Sequence, residues 1–447
     1  MPSWKDYLIN ASRRLGKNEN PGQKGRTVFQ RDYDRIIFFD AFRRLQNKTQ
    51  VFPIPGSEEI RNRLTHSLET ASVGRSLGFL AGMEILKKYP DLQRETGLSA
   101  DDFSYIVSAA ALAHDIGNPP FGHQGEEAIS VFFKSPKAQK YLQNLTEKQI
   151  ADLQNFEGNA AGFRILATTV DPRSQIKGGL RLNLATYGAF VKYPKEVLPA
   201  RKHERKVSLK KYGFFQAEKS VFKSLAEALN LIEQHHAGGL AWKRYPLAFL
   251  TEAADDICYN IIDYEDGYHL KIIAFRSIEE KFQALARLSK KQMNDYHSIS
   301  DEKQKIAYLR AHVIHILISS LSRIFVENEA DIRHGKYDRS LWKDLPDEYL
   351  ETLNEIARES LEKLYHNELV LKKEATGKTV IPFLLEKFLD AVFDSEQNKQ
   401  YYLLIPPAYR QNEDAYLKIL DVVMYIAGMS DRQAVELYRN FIGIRLP

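Results

Sequence analysis

The chain has 447 residues, of which 44% are hydrophobic and 27% charged, a balance typical of a soluble globular protein with a large core. The formal net charge of +5 is small for this length, so it permits an anionic partner such as a nucleotide or nucleic acid without requiring one. The single cysteine excludes an intrachain disulfide, and no segment offers the ~18 uninterrupted apolar residues of a membrane span, so we expect a cytoplasmic protein without a membrane-spanning helix.

The chain opens with a basic segment rich in Gly, Asn and Pro, which we expect to form a mobile or partner-ordered arm over residues 1–31. After it, apolar residues recur with helical spacing and strand-type alternation is scarce, which predicts a mostly α fold. The segments with this spacing are 67–88, 102–114, 218–235, 246–264, 302–326, 348–365 and 414–441. A break in the pattern near 330–345 predicts a main domain over 32–340 and a helical subdomain over 341–447 packed on it.

The strongest chemical signal is the pair His114-Asp115, which ends an apolar helical run and precedes a Gly-Asn-Pro-Pro loop. Adjacent helical residues point about 100° apart, so two adjacent ligands meet one ion most easily near a helix end. An imidazole and a carboxylate together suit a divalent ion such as Mn, Fe, Co or Mg. A single pair of this kind is more often a helix-terminal histidine beside a capping carboxylate, so the metal hypothesis needs further ligands.

Two other segments offer such ligands. His66 lies at the start of a helical stretch, and Asp255 lies in the stretch 246–267. On a helical wheel the polar residues of that stretch share an arc of about 140°. They are Glu252, Asp255, Asp256, Tyr259, Asn260 and Asp263. Such a face is often only solvated, but the spacing by four aligns Asp255, Tyr259 and Asp263, which can hold a sugar as well as a metal.

Several ordered motifs resemble those of the deoxyguanosine triphosphate triphosphohydrolase-like family, a branch of the HD-domain superfamily. The motifs are the segment 42–52, Arg63–Ser67, His114–His123, Phe156–Ala160 and Glu252–Ile257. The resemblance covers residues 26–270 most closely and continues more loosely through the C-terminal helices. It implies a helical HD fold with additional C-terminal helices, and metal-dependent hydrolysis of deoxynucleoside triphosphates, dGTP among them, to deoxynucleoside and tripolyphosphate.

The resemblance also implies the metal ligands. They are His66, His114, Asp115 and Asp255. Asp256 is the adjacent alternative to Asp255, but the family pattern of Asp, then Tyr four residues on and Asp eight residues on, fits only Asp255. The cofactor is expected to be one divalent ion, Mn, Mg, Co or Fe.

The remaining roles follow from the same resemblance. His123 is expected to transfer a proton at the scissile phosphate, with Glu126 three residues on to orient it. Arg63 is expected to reach a phosphate, because a guanidinium fork suits phosphate oxygens. Lys211 and Lys219 are further phosphate candidates, although both could equally be solvated surface lysines.

The family match also places residues at the sugar. Gln50 and Asp263 are expected to bind the 3′-hydroxyl. Tyr259 and Val51 are expected to crowd the 2′ position, so that a ribonucleotide clashes; Val51 could equally be an ordinary core residue.

Partners are implied by resemblance alone: a homo-oligomer, often a hexamer, and an activator nucleotide or single-stranded DNA. Two alternatives stay open at this point. One is another HD phosphohydrolase, such as a nucleotide phosphodiesterase. The other is a nucleotide-sensing or nucleic-acid-binding scaffold, favoured by the basic arm and the charged cluster at 201–211.

Overall fold

The computed structural model of the chain is helical throughout. It describes residues 2–15, 26–51, 60–168, 179–198, 206–234 and 238–444. Within these ranges extended backbone is limited to isolated bridges, such as the one that joins Thr49 to Asn62. The expected mostly α class, with further helices towards the C-terminus, is therefore confirmed.

The first half of the described chain contains α1 to α12. They are α1 (Trp4–Leu8), α2 (Val28–Ile37), α3 (Asp40–Arg43), α4 (Arg63–Lys88), α5 (Asp91–Thr96), α6 (Ala100–Ala113), α7 (His123–Lys134), α8 (Gln139–Leu142), α9 (Glu147–Gln154), α10 (Gly158–Ala167), α11 (Leu184–Phe190) and α12 (Lys219–Ala228). Short 3₁₀ turns occupy Arg44–Asn47, Pro136–Ala138, Val207–Leu209 and Gln216–Glu218.

The second half continues the helical pattern. Its helices are α13 (Ala248–His269), α14 (Phe275–Ala286), α15 (Lys290–Ser298), α16 (Glu302–Glu327), α17 (Glu329–Arg333), α18 (Asp347–Glu359), α19 (Glu368–Phe393), α20 (Lys399–Leu404), α21 (Ala415–Ala427) and α22 (Asp431–Phe441). Leu341–Asp344 and Pro407–Tyr409 are 3₁₀ turns, and Ser360–Tyr365 is a π-helical turn that extends α18.

The N-terminal segment is packed rather than mobile over its described residues. Trp4 and Tyr7 are each only 2% exposed. The Trp4 indole donates to Glu329 at 2.8 Å, and the Tyr7 hydroxyl donates to the Arg333 carbonyl at 2.7 Å. These contacts differ from the arm expected over 1–31, because buried aromatic residues fix its first part; residues 16–25 of that arm lie outside the described ranges.

Two hydrophobic cores divide the molecule. The larger one is built mainly by α2, α4, α6, α11, α13, α14 and α16. The smaller one is built by α7, α9, α19 and α21, with part of α10. The C-terminal helices thus share a core with the helix that begins at His123, and the metal-ligand candidates come from helices of the other core.

Close approach of α4 and α6 sets the position of His66 relative to His114. A methyl group on Gly78 would lie 2.6 Å from the Phe103 carbonyl oxygen, and one on Gly82 would lie 2.9 Å from Phe103 Cβ. Only glycine allows this separation, since a side chain at either position would force the two helices apart.

The helix α16 is long and apolar enough to cross a membrane by length and composition, and it is the one such helix among the described residues. One face of it is buried against the larger core. Buried core helices meet the same criteria, so this feature alone assigns no membrane segment.

Candidate metal centre and active site

Three of the expected ligands converge at the larger core. Ligand atoms of His66, His114 and Asp255 all lie within 4.8 Å of one another. Asp255 Oδ1 is 3.2 Å from His66 Nε2 and 3.5 Å from His114 Nε2. Residues from three separate helices, α4, α6 and α13, therefore point at one position.

Local structure aims both imidazoles. His66 lies in the first turn of α4, which begins with a reciprocal cap between Asn62 and Thr65. His114 follows the last residue of α6, and its Nδ1 lies 2.6 Å from the Ala111 carbonyl. If Nδ1–H donates there, Nε2 carries the lone pair on the side that faces Asp255, the arrangement found for histidine ligands of metals.

Asp115 stands beside these three residues. Its Oδ1 is 3.7 Å from His114 Nε2 and accepts a hydrogen bond of 2.7 Å from Arg63. Its Oδ2 is buried and has no hydrogen-bond partner among the described residues. A buried carboxylate oxygen without a donor is costly unless a cation is supplied, so Asp115 fits a fourth ligand.

The charges of the cluster also favour the binding of a metal ion. Burial opposes the charged form of His66, but the hydrogen bond to Asp255 and the Asp115 carboxylate raise its pKa to about 9. Burial likewise favours neutral Asp255, yet the neighbouring imidazoles hold its pKa well below the usual range. Ionised carboxylates that already attract positive charge can bind a divalent cation in place of the protons. The donor set thus fits a divalent metal of the kind that accepts mixed nitrogen and oxygen ligands.

Asp256, the alternative ligand, bonds to a residue outside the histidine and aspartate cluster. Its Oδ2 accepts a hydrogen bond from Ser340 at 2.8 Å. Burial, together with the nearby Glu252 carboxylate, raises the pKa of Asp256 to about 7. The geometry therefore favours Asp255 as the ligand.

His123 and Glu126 form a hydrogen-bonded pair at the start of α7. His123 Nδ1 is 2.9 Å from Glu126 Oε2, and the imidazole is 80% exposed. Glu126 is buried, and its other oxygen accepts the Gly158 amide at 2.8 Å. Burial alone would raise the pKa of Glu126, but the bond from His123 and the charge of Lys211 hold it below the usual value. An ionised Glu126 fixes the exposed imidazole.

Arg63 lies between the metal ligands and this pair. It bonds Asp115 through Nη1, while its Nη2 lies so close to Gly122 that a methyl group there would be 2.8 Å away. Gly122 has φ of +63° and directly precedes His123. One buried guanidinium thus spans from a metal-ligand carboxylate to the residue next to the proposed proton donor.

The two lysines proposed for phosphate binding have different partners. Lys211 forms an ion pair of 2.9 Å with Glu157 and lies 3.9 Å from Glu126, so it stands beside the His123 pair. Lys219 instead faces Glu196 at 3.4 Å, a carboxylate that Lys148 also holds. The structure associates Lys211 with the site residues and gives Lys219 a separate partner.

The residues expected at the sugar contact Tyr365, a residue that the sequence did not indicate. Tyr259 is 43% exposed, and its ring stacks on Tyr365 at 5.9 Å between centroids and 8° between planes. The Tyr365 hydroxyl lies 3.5 Å from Asp263, whose pKa is raised to about 7 by burial. Gln50 has a buried Oε1 without a hydrogen-bond partner in the described structure, and Val51 packs on the larger core.

Two cationic residues near the site were also missed by the sequence reasoning. Lys192 pairs with Glu252 at 3.3 Å and its charge acts on Asp255. Lys373, on α19, has its pKa lowered to about 8 by burial, and it faces Asp431 and Arg63. Lys192 stands in none of the motifs, and Lys373 lies in the segment 369–379, where the resemblance is only loose, so the fold was needed to place both at the site.

The last helix reaches the site through Asp431. This carboxylate accepts the Phe121 amide at 2.8 Å and the Thr49 amide at 3.2 Å. Phe121 has φ of +66°, a strained value for a residue with a side chain. Buried Lys48 adds a second tie, because its ammonium donates to the Ala427 carbonyl at 2.7 Å and to the carbonyl of Asn118. The segments that carry Gln50 and His123 are thereby joined to the C-terminal helices.

Comparison with known families agrees with this geometry. The HD domain family matches residues 63–155, and the phosphohydrolase-associated domain family matches residues 344–440. The protein is thus a metal-dependent phosphohydrolase of the HD type, and its cluster of histidine and aspartate could hold a divalent metal ion.

Similarity to full-length relatives identifies the family of HD phosphohydrolases to which the chain belongs. A deoxyguanosinetriphosphate triphosphohydrolase-like protein of Synechocystis is 42% identical over 457 residues, covering 99% of this chain and 100% of the relative. A protein of the same description from Pseudomonas aeruginosa is 33% identical over 468 residues, 99% of each chain. The deoxyguanosinetriphosphate triphosphohydrolase of Yersinia pseudotuberculosis is 31% identical over 407 residues, 80% of this chain and 76% of the relative. The chain belongs to the deoxyguanosinetriphosphate triphosphohydrolase-like family.

Proposed function

We propose that this protein hydrolyses deoxynucleoside triphosphates, dGTP among them, to deoxynucleoside and intact tripolyphosphate. The observation that carries the proposal is the arrangement around α13. Asp255 faces the two histidines of the cluster, and on the same helix half-exposed Tyr259 and buried Asp263 form an aromatic and acidic wall. The names of the relatives, which specify deoxyguanosine triphosphate, support this substrate class.

The metal ion is proposed to be bound by His66, His114, Asp115 and Asp255. A bound divalent ion supplies charge stabilisation at a phosphate oxygen and lowers the pKa of coordinated water. The same ligands accept Mn, Mg, Co or Fe, and we propose one of these.

His123 is proposed to protonate the 5′-oxygen of the leaving deoxynucleoside. That oxygen is a poor leaving group, and general acid catalysis typically contributes roughly 10²–10⁴-fold. The imidazole is exposed, and its Nδ1 is bonded to Glu126 at 2.9 Å, so Nε2 is directed outward. Ionised Glu126 stabilises the protonated imidazole before transfer.

The triphosphate is proposed to lie along Arg63, Lys211 and Lys192. Arg63 is buried and aimed by Asp115, so its guanidinium is already oriented. Lys211 pairs with Glu157 and lies 3.9 Å from Glu126, and Lys192 pairs with Glu252. Each ammonium has three donors and keeps hydrogen-bonding capacity for a phosphate oxygen.

The sugar is proposed to contact Gln50, Asp263 and Tyr259, with Val51 behind it. Gln50 carries a buried oxygen that is unpartnered in the described structure and can accept a hydrogen bond from the 3′-hydroxyl. The stacked pair Tyr259 and Tyr365 gives the wall a fixed position, because two parallel rings restrict one another. A 2′-hydroxyl directed at this wall would be rejected by overlap.

We further propose a cytoplasmic protein that works as a homo-oligomer, such as a hexamer. An activator nucleotide or single-stranded DNA stays a predicted partner from resemblance.

The reaction itself is tested by its products. Each of the four deoxynucleoside triphosphates and GTP would be incubated with the protein in Mn²⁺ and in Mg²⁺, and the products resolved by ion-exchange chromatography. We expect deoxynucleoside and intact tripolyphosphate, with GTP a poor substrate. Release of monophosphate or pyrophosphate would assign the chain to another HD phosphohydrolase activity.

Selectivity for the deoxy sugar should depend on Tyr259. Replacement Tyr259→Ala removes the wall, and we expect the kcat/KM of GTP relative to dGTP to rise by roughly tenfold, since a steric wall rejects an added hydroxyl only modestly. Tyr259→Phe is the matched control, because it keeps the ring and should keep the selectivity. An unchanged ratio in the alanine variant would remove Tyr259 from the sugar site.

A further inference from the structure

The helix α19 brings to the active site a lysine to which the proposed function gives no role. Lys373 is half-buried, and its ammonium forms neither a hydrogen bond nor an ion pair with another residue that the structure describes. Burial lowers the pKa of Lys373 to about 8; Asp431 opposes this shift and Arg63 adds to it. Removing an ammonium from water without a hydrogen-bond acceptor costs free energy, and a bound ligand can supply the missing acceptor.

Helix packing places Lys373 beside the loop that precedes α7. Gly377 lies one helical turn after Lys373 on the same face of α19, and a methyl group on it would be 3.1 Å from Phe121 Cβ. The neighbouring carboxylate of Glu374 accepts a hydrogen bond of 2.9 Å from Gln124, so it is already engaged. The helix α19 therefore packs along this loop and along the first turn of α7.

Arg63 approaches the same loop from a different helix. Its Nη2 lies so close to Gly122 that a methyl group there would be 2.8 Å away. The helix α4, which carries Arg63, packs in the larger core, whereas most of α19 packs in the smaller one. Two cations from the two halves of the molecule thus lie at one loop, directly before the proposed proton donor.

The charge around this loop is positive. The carboxylate of Asp431 acts on three cations at once, Lys48, Arg63 and Lys373. Both of its oxygens already accept backbone amides. Asp115 also pairs with Arg63, but it is a proposed ligand of the metal ion. The cations therefore outnumber the carboxylates that can balance them, and an anionic ligand would restore the balance.

We propose that Lys373 binds the triphosphate of the substrate together with Arg63, so that the C-terminal helix α19 supplies one of the phosphate contacts. A lysine ammonium is a compact charge with three donors, which suits a phosphate oxygen. A phosphate is favoured over an edge of the nucleobase, because only the phosphate brings the negative charge that the loop lacks. The inference rests on the proposed hydrolysis and adds a substrate contact to it.

Inorganic tripolyphosphate is the probe, because it carries the phosphates without a sugar or a base. Its binding to the full-length protein would be measured by isothermal titration calorimetry, in one Mg²⁺ buffer for every variant so that chelation is common to all. Lys373→Met keeps the length of the side chain and removes its charge, and should weaken binding by about tenfold or more. Lys373→Arg keeps the charge and should stay within about threefold of the unchanged protein. Lys372→Met is the matched control, because Lys372 is an exposed neighbour paired with Glu368, and it should leave the affinity unchanged.

Two further readouts separate a binding role from a structural one. In the hydrolysis of dGTP, Lys373→Met should raise KM by about tenfold and change kcat by less than about threefold, the pattern of a lost contact that ground state and transition state share. The Tm of the ligand-free variant should rise by about 1–3 °C, because a half-buried charge without a hydrogen-bond partner is removed. A lower Tm together with unchanged tripolyphosphate affinity would make Lys373 a structural residue and overturn the proposal.

Other outcomes would also contradict the phosphate contact. They are no binding of tripolyphosphate to the unchanged protein, or weaker binding of dGTP but not of tripolyphosphate in Lys373→Met, which would place the ammonium at the sugar or base. Binding that depends on Lys373 but is unchanged in Arg63→Ala would show that the two cations share no phosphate. Because this binding is measured without turnover, its loss in Lys373→Met would stand even if the reaction products assigned another hydrolysis to the chain. Conversely, tripolyphosphate release from dGTP with unchanged affinity in Lys373→Met would overturn this contact alone.

Discussion

His114→Ala should abolish both metal binding and turnover. The variant removes one imidazole from the proposed set of four ligands, which leaves the ion with three donors. Metal charge stabilisation is worth several kcal/mol, and about 1.4 kcal/mol corresponds to tenfold in rate, so we expect tripolyphosphate release to fall by roughly a thousandfold or more.

Metal content by inductively coupled plasma mass spectrometry, measured alongside turnover, separates this loss from unfolding. His315→Ala is the matched control, because His315 is an exposed histidine of α16 outside the ligand cluster. It should retain metal and activity. A His114→Ala protein that keeps both would refute the ligand assignment.

His123→Ala should give the second largest effect while sparing the metal. If the imidazole donates the proton to the leaving oxygen, kcat should fall by roughly 10²–10⁴-fold with a smaller change in KM. Metal content should stay at the level of the unchanged protein, since His123 is absent from the cluster of ligand atoms.

The partner Glu126 allows a finer test. Glu126→Gln keeps the size of the side chain and removes the charge that stabilises the protonated imidazole, so it should reduce kcat less than His123→Ala does. The acidic and basic limbs of the rate-against-pH profile should move in this variant, which a merely structural change would not cause. A His123→Ala enzyme with unchanged kcat would exclude His123 from proton transfer.

Much of the fold could be predicted from sequence because apolar spacing and helix caps are local. The segments predicted over 67–88 and 102–114 correspond to α4 and α6, displaced by a few residues at their ends. The segment 218–235 was too long, because α12 ends at Ala228 and Asn230 turns the chain with φ of +52°. Asparagine tolerates that conformation, but its presence in a polar run did not distinguish a turn from an exposed helical face.

The metal candidates could be anticipated because each stands in an ordered motif. Asp115 shows the limit of that reasoning. The motif named it a ligand, whereas the structure shows that it also aligns Arg63, a contact between residues 52 positions apart. Sequence order carries no distance, so such a dual use is visible only in the fold.

The positions of Tyr365 and Asp431 at the site could not be predicted from sequence patterns. Tyr365 reaches the site because α18 continues into a π-helical turn, which shifts the side chain around the helix axis relative to α-helical spacing. Asp431 carries the signal of an ordinary acidic residue in the first turn of a helix. Its use by the Thr49 and Phe121 amides depends on packing between distant segments.

The two bonds of Asp431 make the last helix and the active site thermodynamically linked. Thr49 precedes Gln50, which is proposed to contact the sugar, and Phe121 lies two positions before His123, so a ligand that requires both segments in place also favours the docked state of α22. By mass action, substrate at a hundred times its Kd would add about 2.7 kcal/mol to that docked state if undocking abolishes binding. Reciprocally, fraying of the final helix would weaken substrate affinity, and a chain trimmed ahead of Asp431 would lose affinity together with stability.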